Sequence, residues 1–350
     1  MAVAKTESFF SARAPAKILL AGEHAVVHGA PAIGLAINRF ATTTVRPREG
    51  SRVSFTLSDL KNTFDFTLAT LRRVRDRLLL AYRQFIEGKK SIREVITAPG
   101  DLFQFALASL LDICKLELEE GLDIHLCSSI PIGCGMGSSA ATIVSLVRAL
   151  LYHFGIERGV DWIEKLIHEV ERLQHGTPSG VDSFISLHGG CVRFQRGGPP
   201  KPLEMPSAPI WAINTGSPKS STGECVSAVS KKWKKSSIWE EFGEIAFDVE
   251  RALATKKTTF LATAFSRNQR LLETIGVVPD KVKAFVKELE LQQGSAKISG
   301  AGSIRGQSAG ILLAISDESS DESVEQLCQK YGYECFQLEG ERSGATVSNL

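Results

Sequence analysis

Apolar and polar positions alternate along this chain in two rhythms, one after the other. Lys17-Ile18-Leu19-Leu20 is a short apolar run ended by Ala21-Gly22 and reads as a buried strand. Val53–Leu57 alternates with period two, and Phe64-Asp65-Phe66 repeats the rhythm, as in a half-exposed hairpin. From Leu68 to Phe85 the period becomes helical. Leu71, Val74, Leu78 and Leu79 form the apolar side, and Arg72, Arg73, Arg75 and Arg77 an expected solvated face. A second amphipathic helix is predicted over Phe103–Leu116 and a strand over Leu122–Leu126. A glycine-rich turn then runs into a helix whose inward stripe is Ile143, Val144, Val147, Leu150 and Leu151. The next helix, with Trp162, Ile163, Leu166, Ile167 and Val170 inward, stops at the breakers His175–Gly180.

Beyond about residue 200 five prolines (Pro199, Pro200, Pro202, Pro206, Pro209) punctuate a connector. Helices follow over Ile238–Leu253, Phe260–Ile275 and Val282–Leu289. Then come strands over Ala296–Ile298 and Ala309–Ile315, a helix over Ser323–Tyr331 and a strand over Tyr333–Leu338. Strands and helices mixed in this way predict a small α+β sandwich. At 350 residues the chain exceeds what one core usually holds, so two domains are expected, 1–205 and 206–350.

Composition narrows the function. Forty-one Lys and Arg against 39 Asp and Glu leave a net charge of +2, without the basic excess of a nucleic-acid or anionic-membrane binder. The run Lys231-Lys232-Trp233-Lys234-Lys235 reads as one solvated helix face. Seven scattered cysteines with no CxxC pair argue against a disulfide framework and a zinc site, and point to a reducing cytoplasm. No apolar run has the ~18 residues of a membrane span, and Met1–Phe10 lacks the pattern of a signal peptide.

Four stretches carry candidate chemistry. In Ile132–Ala141, glycines at 133, 135 and 137 let backbone N–H groups converge, and Ser138 and Ser139 open a helix whose N-terminus favours an anion. That is the make-up of a phosphate cradle, with a serine hydroxyl available to Mg²⁺; a serine-capped strand-to-helix turn has the same make-up. Glu171 and Asp182, eleven residues apart across a helix end and a rigid turn, suit a metal ligand and a group approaching a substrate hydroxyl, or two solvated helix-end carboxylates. Lys17, at the start of a buried strand, must reach water or an anion, and Glu23 and His24 lie in the turn after it. Ser299-Gly300-Ala301-Gly302-Ser303, between two strands, is either a backbone pressed on a ligand or a tight connection.

Together these stretches resemble the three signatures of the GHMP small-molecule kinases. Ala14-Pro15-Ala16-Lys17 with Gly22-Glu23-His24 is similar to the first, Pro131–Ala141 to the second, and Lys297–Gly302 to the third. The turns Gly22–Gly29 and His175–Asp182 are most similar to those of the mevalonate kinase branch. Two departures stand out: Ala16 replaces a glycine of the first signature, and Ser303-Ile304-Arg305-Gly306 replaces a glycine run in the third. The expected consequence is that Gly300-Ala301-Gly302 keep a close approach while Ser303 onward turns to solvent.

The resemblance implies an N-terminal ribosomal-protein-S5-like α/β domain and a C-terminal ferredoxin-like α+β domain. It implies a cytoplasmic ATP- and Mg²⁺-dependent kinase acting on the primary hydroxyl of mevalonate, with a homodimer as a frequent assembly. Gly133, Gly135, Gly137 and Ser138, with Gly300, Ala301 and Gly302, would bind the nucleotide; Ser139 and Glu171 would ligate Mg²⁺. Asp182 would accept the hydroxyl proton, with Lys17 beside it. Glu23, His24 and Thr222 would be the substrate residues, facing its carboxylate and 3-hydroxyl, Thr222 because the family has a threonine after its Asn-Thr strand end, with Glu23 orienting Lys17 or His24. Another GHMP kinase, for phosphomevalonate or a different hydroxy acid, and a catalytically silent nucleotide sensor are the alternatives.

Overall fold

The structure, a computed structural model, describes residues 10–316 and 321–349. Met1–Phe10, apart from Phe10 itself, therefore lies outside the described residues. Two sheets form among them. The larger has eight strands: β1 (Phe10–Ala21), β2 (Ala32–Arg48), β3 (Arg52–Leu57), β4 (Asn62–Thr67), β5 (Gly121–Ser128), β6 (Cys191–Phe194), β7 (Lys201–Leu203) and β12 (Thr346–Asn349). Its main path runs β12-β1-β2-β5-β3-β4, with β6 also on β2 and β7 on β6. The smaller sheet is antiparallel in the order β11-β8-β10-β9, formed by β8 (Trp211–Asn214), β9 (Ser295–Ser299), β10 (Ile311–Ile315) and β11 (Glu334–Gln337). The connector near residue 205 separates β7 from β8, and the chain afterwards returns to the first sheet, where β12 pairs with β1.

Ten α-helices accompany these strands among the described residues. α1 (Leu68–Ile86) and α2 (Asp101–Ile113) pack side by side. α3 (Ser138–His153) and α5 (Val181–His188) cover the first sheet, and α4 (Val160–His175) packs on α2, α3 and α5. α6 (Thr222–Trp233), α7 (Ile238–Thr255), α8 (Thr258–Ile275), α9 (Asp280–Leu291) and α10 (Asp321–Tyr331) belong to the second half. The predicted apolar stripe of α3 is the buried one, with Ile143, Val144, Val147, Leu150 and Leu151 all in the core. The same core takes in Ile245, Val249 and Phe265 from α7 and α8, and Ile311 and Leu313 from β10, so the two sheets share packing.

The arginine side of α1 is exposed at Arg72, Arg73 and Arg77, as expected, and half-buried at Arg75, but two of these arginines are also tied into ion pairs. Arg77 reaches the buried Asp101 at 2.6 Å, and Arg75 pairs with Asp76 and Asp112. The reason is α2, which brings Asp101 and Asp112 up against α1. Asp101 also accepts from Thr97 N and Ala98 N at the start of α2. Leu79, read as inward, is instead exposed. The Lys231–Lys235 run is exposed, apart from the half-buried Trp233.

Candidate active site

The Gly-rich loop between β5 and α3 is stretched between the two sheets. Gly133, Gly135 and Gly137 have φ of 72°, 89° and 70°, left-handed conformations that favour glycine. Ile311 N donates to Cys134 O at 3.1 Å from β10, and Lys17 N donates to Met136 O at 3.0 Å from β1. The loop is thus fixed from both sides. It delivers the chain into α3 with Gly137 as N-cap and no side chain capping that end. First-turn N–H groups left uncapped at a helix N-terminus are donors for an anion. The third signature meets this loop glycine to glycine: a Cβ on Gly300 would lie 3.5 Å from Gly135 Cα.

Lys17 and Asp182 come together beneath the loop. Lys17 Nζ stands 3.2 Å from Asp182 Oδ1 and donates to Gly135 O at 3.2 Å. The lysine side chain is 4% exposed and the aspartate 37%, so the cation is enclosed and the carboxylate is open to a ligand. Gly137 is needed for space as well as conformation, because a Cβ there would approach Lys17 Cγ at 3.0 Å. Ala16, which departs from the family's glycine, sits in β1 beside a register shift after Pro15 and is not among the left-handed residues. The alanine therefore fits without strain.

Glu171, on the last turns of α4, is 3% exposed. Burial above all, and then the charge of Asp182, push its carboxyl up to about 8, against the opposing pull of Ser183 and Lys17. A carboxyl that holds its proton near neutrality beside a second carboxylate welcomes a cation. Mg²⁺ usually takes one or two protein carboxylates and fills its shell with phosphate oxygens and water. Glu171 and the hydroxyl of Ser139 at the start of α3 have the chemistry for that role. Ser139 Oγ here donates to Gln174 Oε1 at 2.5 Å.

Glu23 departs from its expected place. Its carboxylate is taken by Lys297 Nζ and by Asn268 Nδ2, the latter at 3.1 Å, rather than by Lys17 or His24. Both members of the Glu23–Lys297 pair have fully buried side chains. Lys297 Nζ also donates to Leu19 O at 2.9 Å, and Ser299 Oγ accepts from Leu19 N at 2.8 Å. Two side chains of β9 thus satisfy both backbone groups of one β1 residue, where β1 shifts register against β2. The rule that singled out Lys17, that a lysine in an apolar strand must find an anion, applies equally to Lys297 within Ala296-Lys297-Ile298. The anion it finds is 274 residues away, and no spacing rule connects them.

His24 is buried in a left-handed conformation, φ 58°. Its Nε2 donates to Ala301 O at 3.0 Å, and its Nδ1 is buried without a partner. Burial lowers the ring's pKa to about 4, so it is neutral in ordinary buffers. Thr222 is exposed at the first position of α6, whose start is tied to the third signature by Ser220 N to Ser303 Oγ (3.3 Å) and Cys225 Sγ to Gly302 O (3.6 Å).

Ser303 corrects the expected path of the third signature. It is buried rather than turned to solvent, its N–H donating to Val277 O at 2.8 Å and its hydroxyl to Arg305 O at 2.6 Å. Ile304, Arg305, Gly306 and Gln307 emerge, and Arg305 pairs with Glu224 at 2.8 Å. Gly302 is required by Val277, whose carbonyl oxygen would lie 2.3 Å from an added Cβ.

Residues 101–190 match the GHMP kinases N terminal domain. The chain is 31% identical to mevalonate kinase of Thermococcus sibiricus, over 89% of this chain and 90% of that one. It is 30% identical to mevalonate kinase of Pyrococcus horikoshii, over 83% and 85%. The crystal structure of the Methanococcus jannaschii mevalonate kinase superposes with a TM-score of 0.78 at 22% identity, covering 94% of this chain and 98% of that one. The fold is thus shared with a solved mevalonate kinase, and this chain belongs to the mevalonate kinase family of the GHMP kinases.

Proposed function

We propose that this chain transfers the γ-phosphoryl group of ATP to the primary hydroxyl of mevalonate. The observation that carries the reading is the position of Lys17. One ammonium group contacts both Asp182, at 3.2 Å, and the carbonyl of Gly135 in the Gly-rich loop, at 3.2 Å. A cation between an open carboxylate and a phosphate cradle serves both halves of a phosphoryl transfer to an alcohol.

In this reading the loop from Gly133 to Gly137 and the first turn of α3 bind the triphosphate, and Gly300 and Ala301 close on it from the second sheet. Asp182 accepts the hydroxyl proton through a carboxylate oxygen, while Lys17 stabilises the developing alkoxide. A carboxylate is a weak base for an alcohol, so proton transfer accompanies attack and positioning dominates the rate. Ser139 and Glu171 would hold Mg²⁺, which would supply charge neutralisation for the triphosphate. Neutral His24 offers its unpartnered Nδ1 as an acceptor, which suits the substrate's 3-hydroxyl and not its carboxylate. Thr222 is assigned to the substrate's side of the cleft. Glu23 acts from behind, through Lys297.

An assay of ADP release with mevalonate, phosphomevalonate, homoserine and galactose tests the proposal. Turnover with mevalonate alone is the expected result. Turnover only with another acceptor would replace the substrate, and nucleotide binding without release for any acceptor would make the chain a sensor.

A further inference from the structure

Gln174, which has no place in the proposed mechanism, accepts a hydrogen bond from the Ser139 hydroxyl. It occupies the last turn of α4, three residues after Glu171, and positions i and i+3 share a helix face. The face that carries the buried carboxyl therefore also carries an amide against the first turn of α3. Helix packing does not require that amide. α4 is seated by Ile163, Leu166, Ile167, Val170 and Leu173, all in the core, whereas Gln174 is exposed.

The chemistry of a hydroxyl ligand gives the contact a use. A serine hydroxyl has one proton and two lone pairs, and a cation can be met only by a lone pair. The proton must therefore be placed on some other acceptor, the task that outer-sphere partners perform for many metal ligands. The Gln174 amide oxygen accepts it at 2.5 Å. Unlike a carboxylate, the amide does so without adding charge beside Glu171 and Asp182.

We infer that Gln174 is a positioning residue for the divalent cation of the nucleotide: by holding the Ser139 proton toward α4, it leaves the hydroxyl's lone pairs to the cation. The inference rests on the proposed assignment of Ser139 and Glu171 as the cation's protein ligands.

Titration of the full-length protein with Mn²⁺ in the presence of ADP, followed by the EPR signal of free Mn²⁺, reads this step without turnover. Gln174→Leu keeps the bulk and removes the acceptor; it should weaken Mn²⁺ binding roughly tenfold, at the low end of outer-sphere effects. Its melting temperature should stay within about 2 °C of wild type, as for an exposed substitution. Gln174→Glu keeps an acceptor and should bind Mn²⁺ at least as tightly as wild type. On a Ser139→Ala background, Gln174→Leu should have no further effect. A packing role predicts the reverse ranking, with leucine harmless and glutamate harmful through repulsion with Glu171. Wild-type affinity in Gln174→Leu, or a loss that adds in full to that of Ser139→Ala, would overturn the inference. If Ser139→Ala itself binds Mn²⁺ as tightly as wild type, the ligand assignment fails and takes the inference with it. Normal Mn²⁺ behaviour without phosphorylation of mevalonate would sink the proposed reaction and leave the role of Gln174 standing.

Discussion

Two lysine–carboxylate pairs are built around β1 and the turn that follows it, and they differ in how completely they are closed. Lys297 and Glu23 have side chains without solvent access, and their further partners are internal: Leu19 O for the lysine, Asn268 for the carboxylate. Lys17 is almost as buried, but its partner Asp182 keeps 37% of its side chain open. Removing charges from water is expensive, and a pair repays that cost only when its remaining donors and acceptors are satisfied. The closed pair meets this condition and can serve only to join β9 to β1 and its turn. The open pair leaves carboxylate surface for a ligand to complete. Similar ion-pair chemistry thus supplies a structural tie and a reactive site, and burial of the acid distinguishes them.

The largest expected effect breaks the closed pair. Glu23→Ala leaves Lys297 as an uncompensated buried charge and should cost about 3–5 kcal/mol in urea unfolding. Adding Lys297→Met should recover part of that loss, because no charge is then stranded. A loss below about 1 kcal/mol for Glu23→Ala would show that water reaches the pair and that it is not closed.

The turn between the two pairs predicts a pH dependence. The His24 ring titrates near 6.5 when exposed and near 4 when folded, so the unfolded chain binds the extra proton between these values. Stability should therefore fall as pH drops from 6.5 to 4, by on the order of 3 kcal/mol from this ring. His24→Asn, which tolerates the left-handed backbone, removes the titrating group and should flatten that part of the profile. An unchanged slope would mean that the ring is solvated in the folded state.

The third signature sharpens the comparison at smaller scale. Gly302→Val meets Val277 O and a φ of 61°, and should cost about 2–3 kcal/mol from strain at a left-handed position. Arg305→Ala removes an exposed ion pair with Glu224 and should change apparent ATP affinity by less than about 1 kcal/mol. The opposite ranking would move phosphate contact from the glycines to Arg305.

Legibility followed burial pattern. Helices with clean apolar stripes, such as α3 and α4, and the β3–β4 hairpin can be read directly from their periods. β2, the longest strand, escapes because its inward positions include Thr43, which looks polar but is buried and hydrogen-bonded to Ser145 at 2.8 Å. α5 is hidden by the breakers just ahead of it. α6 escapes because only Cys225 and Val229 of its residues are buried, too few to make a stripe. At the site, Lys17 is visible as a charge at the start of an apolar strand, and Glu171 and Asp182 as two carboxylates held across a helix end and a rigid turn. The Glu23–Lys297 pair and the Ser139–Gln174 contact are not, because each depends on two segments meeting through the tertiary fold.

The division of labour between the pairs is tested most directly at Asp182. Single-turnover phosphoryl transfer from ATP to mevalonate by Asp182→Asn should fall roughly 10²–10⁴-fold, the scale of a lost general base. ATP affinity and unfolding free energy should remain near wild type, because the open pair does not hold the sheets together. Retention of more than half the single-turnover rate, or a loss of stability matching that of Glu23→Ala, would contradict the assignment of chemistry to the open pair.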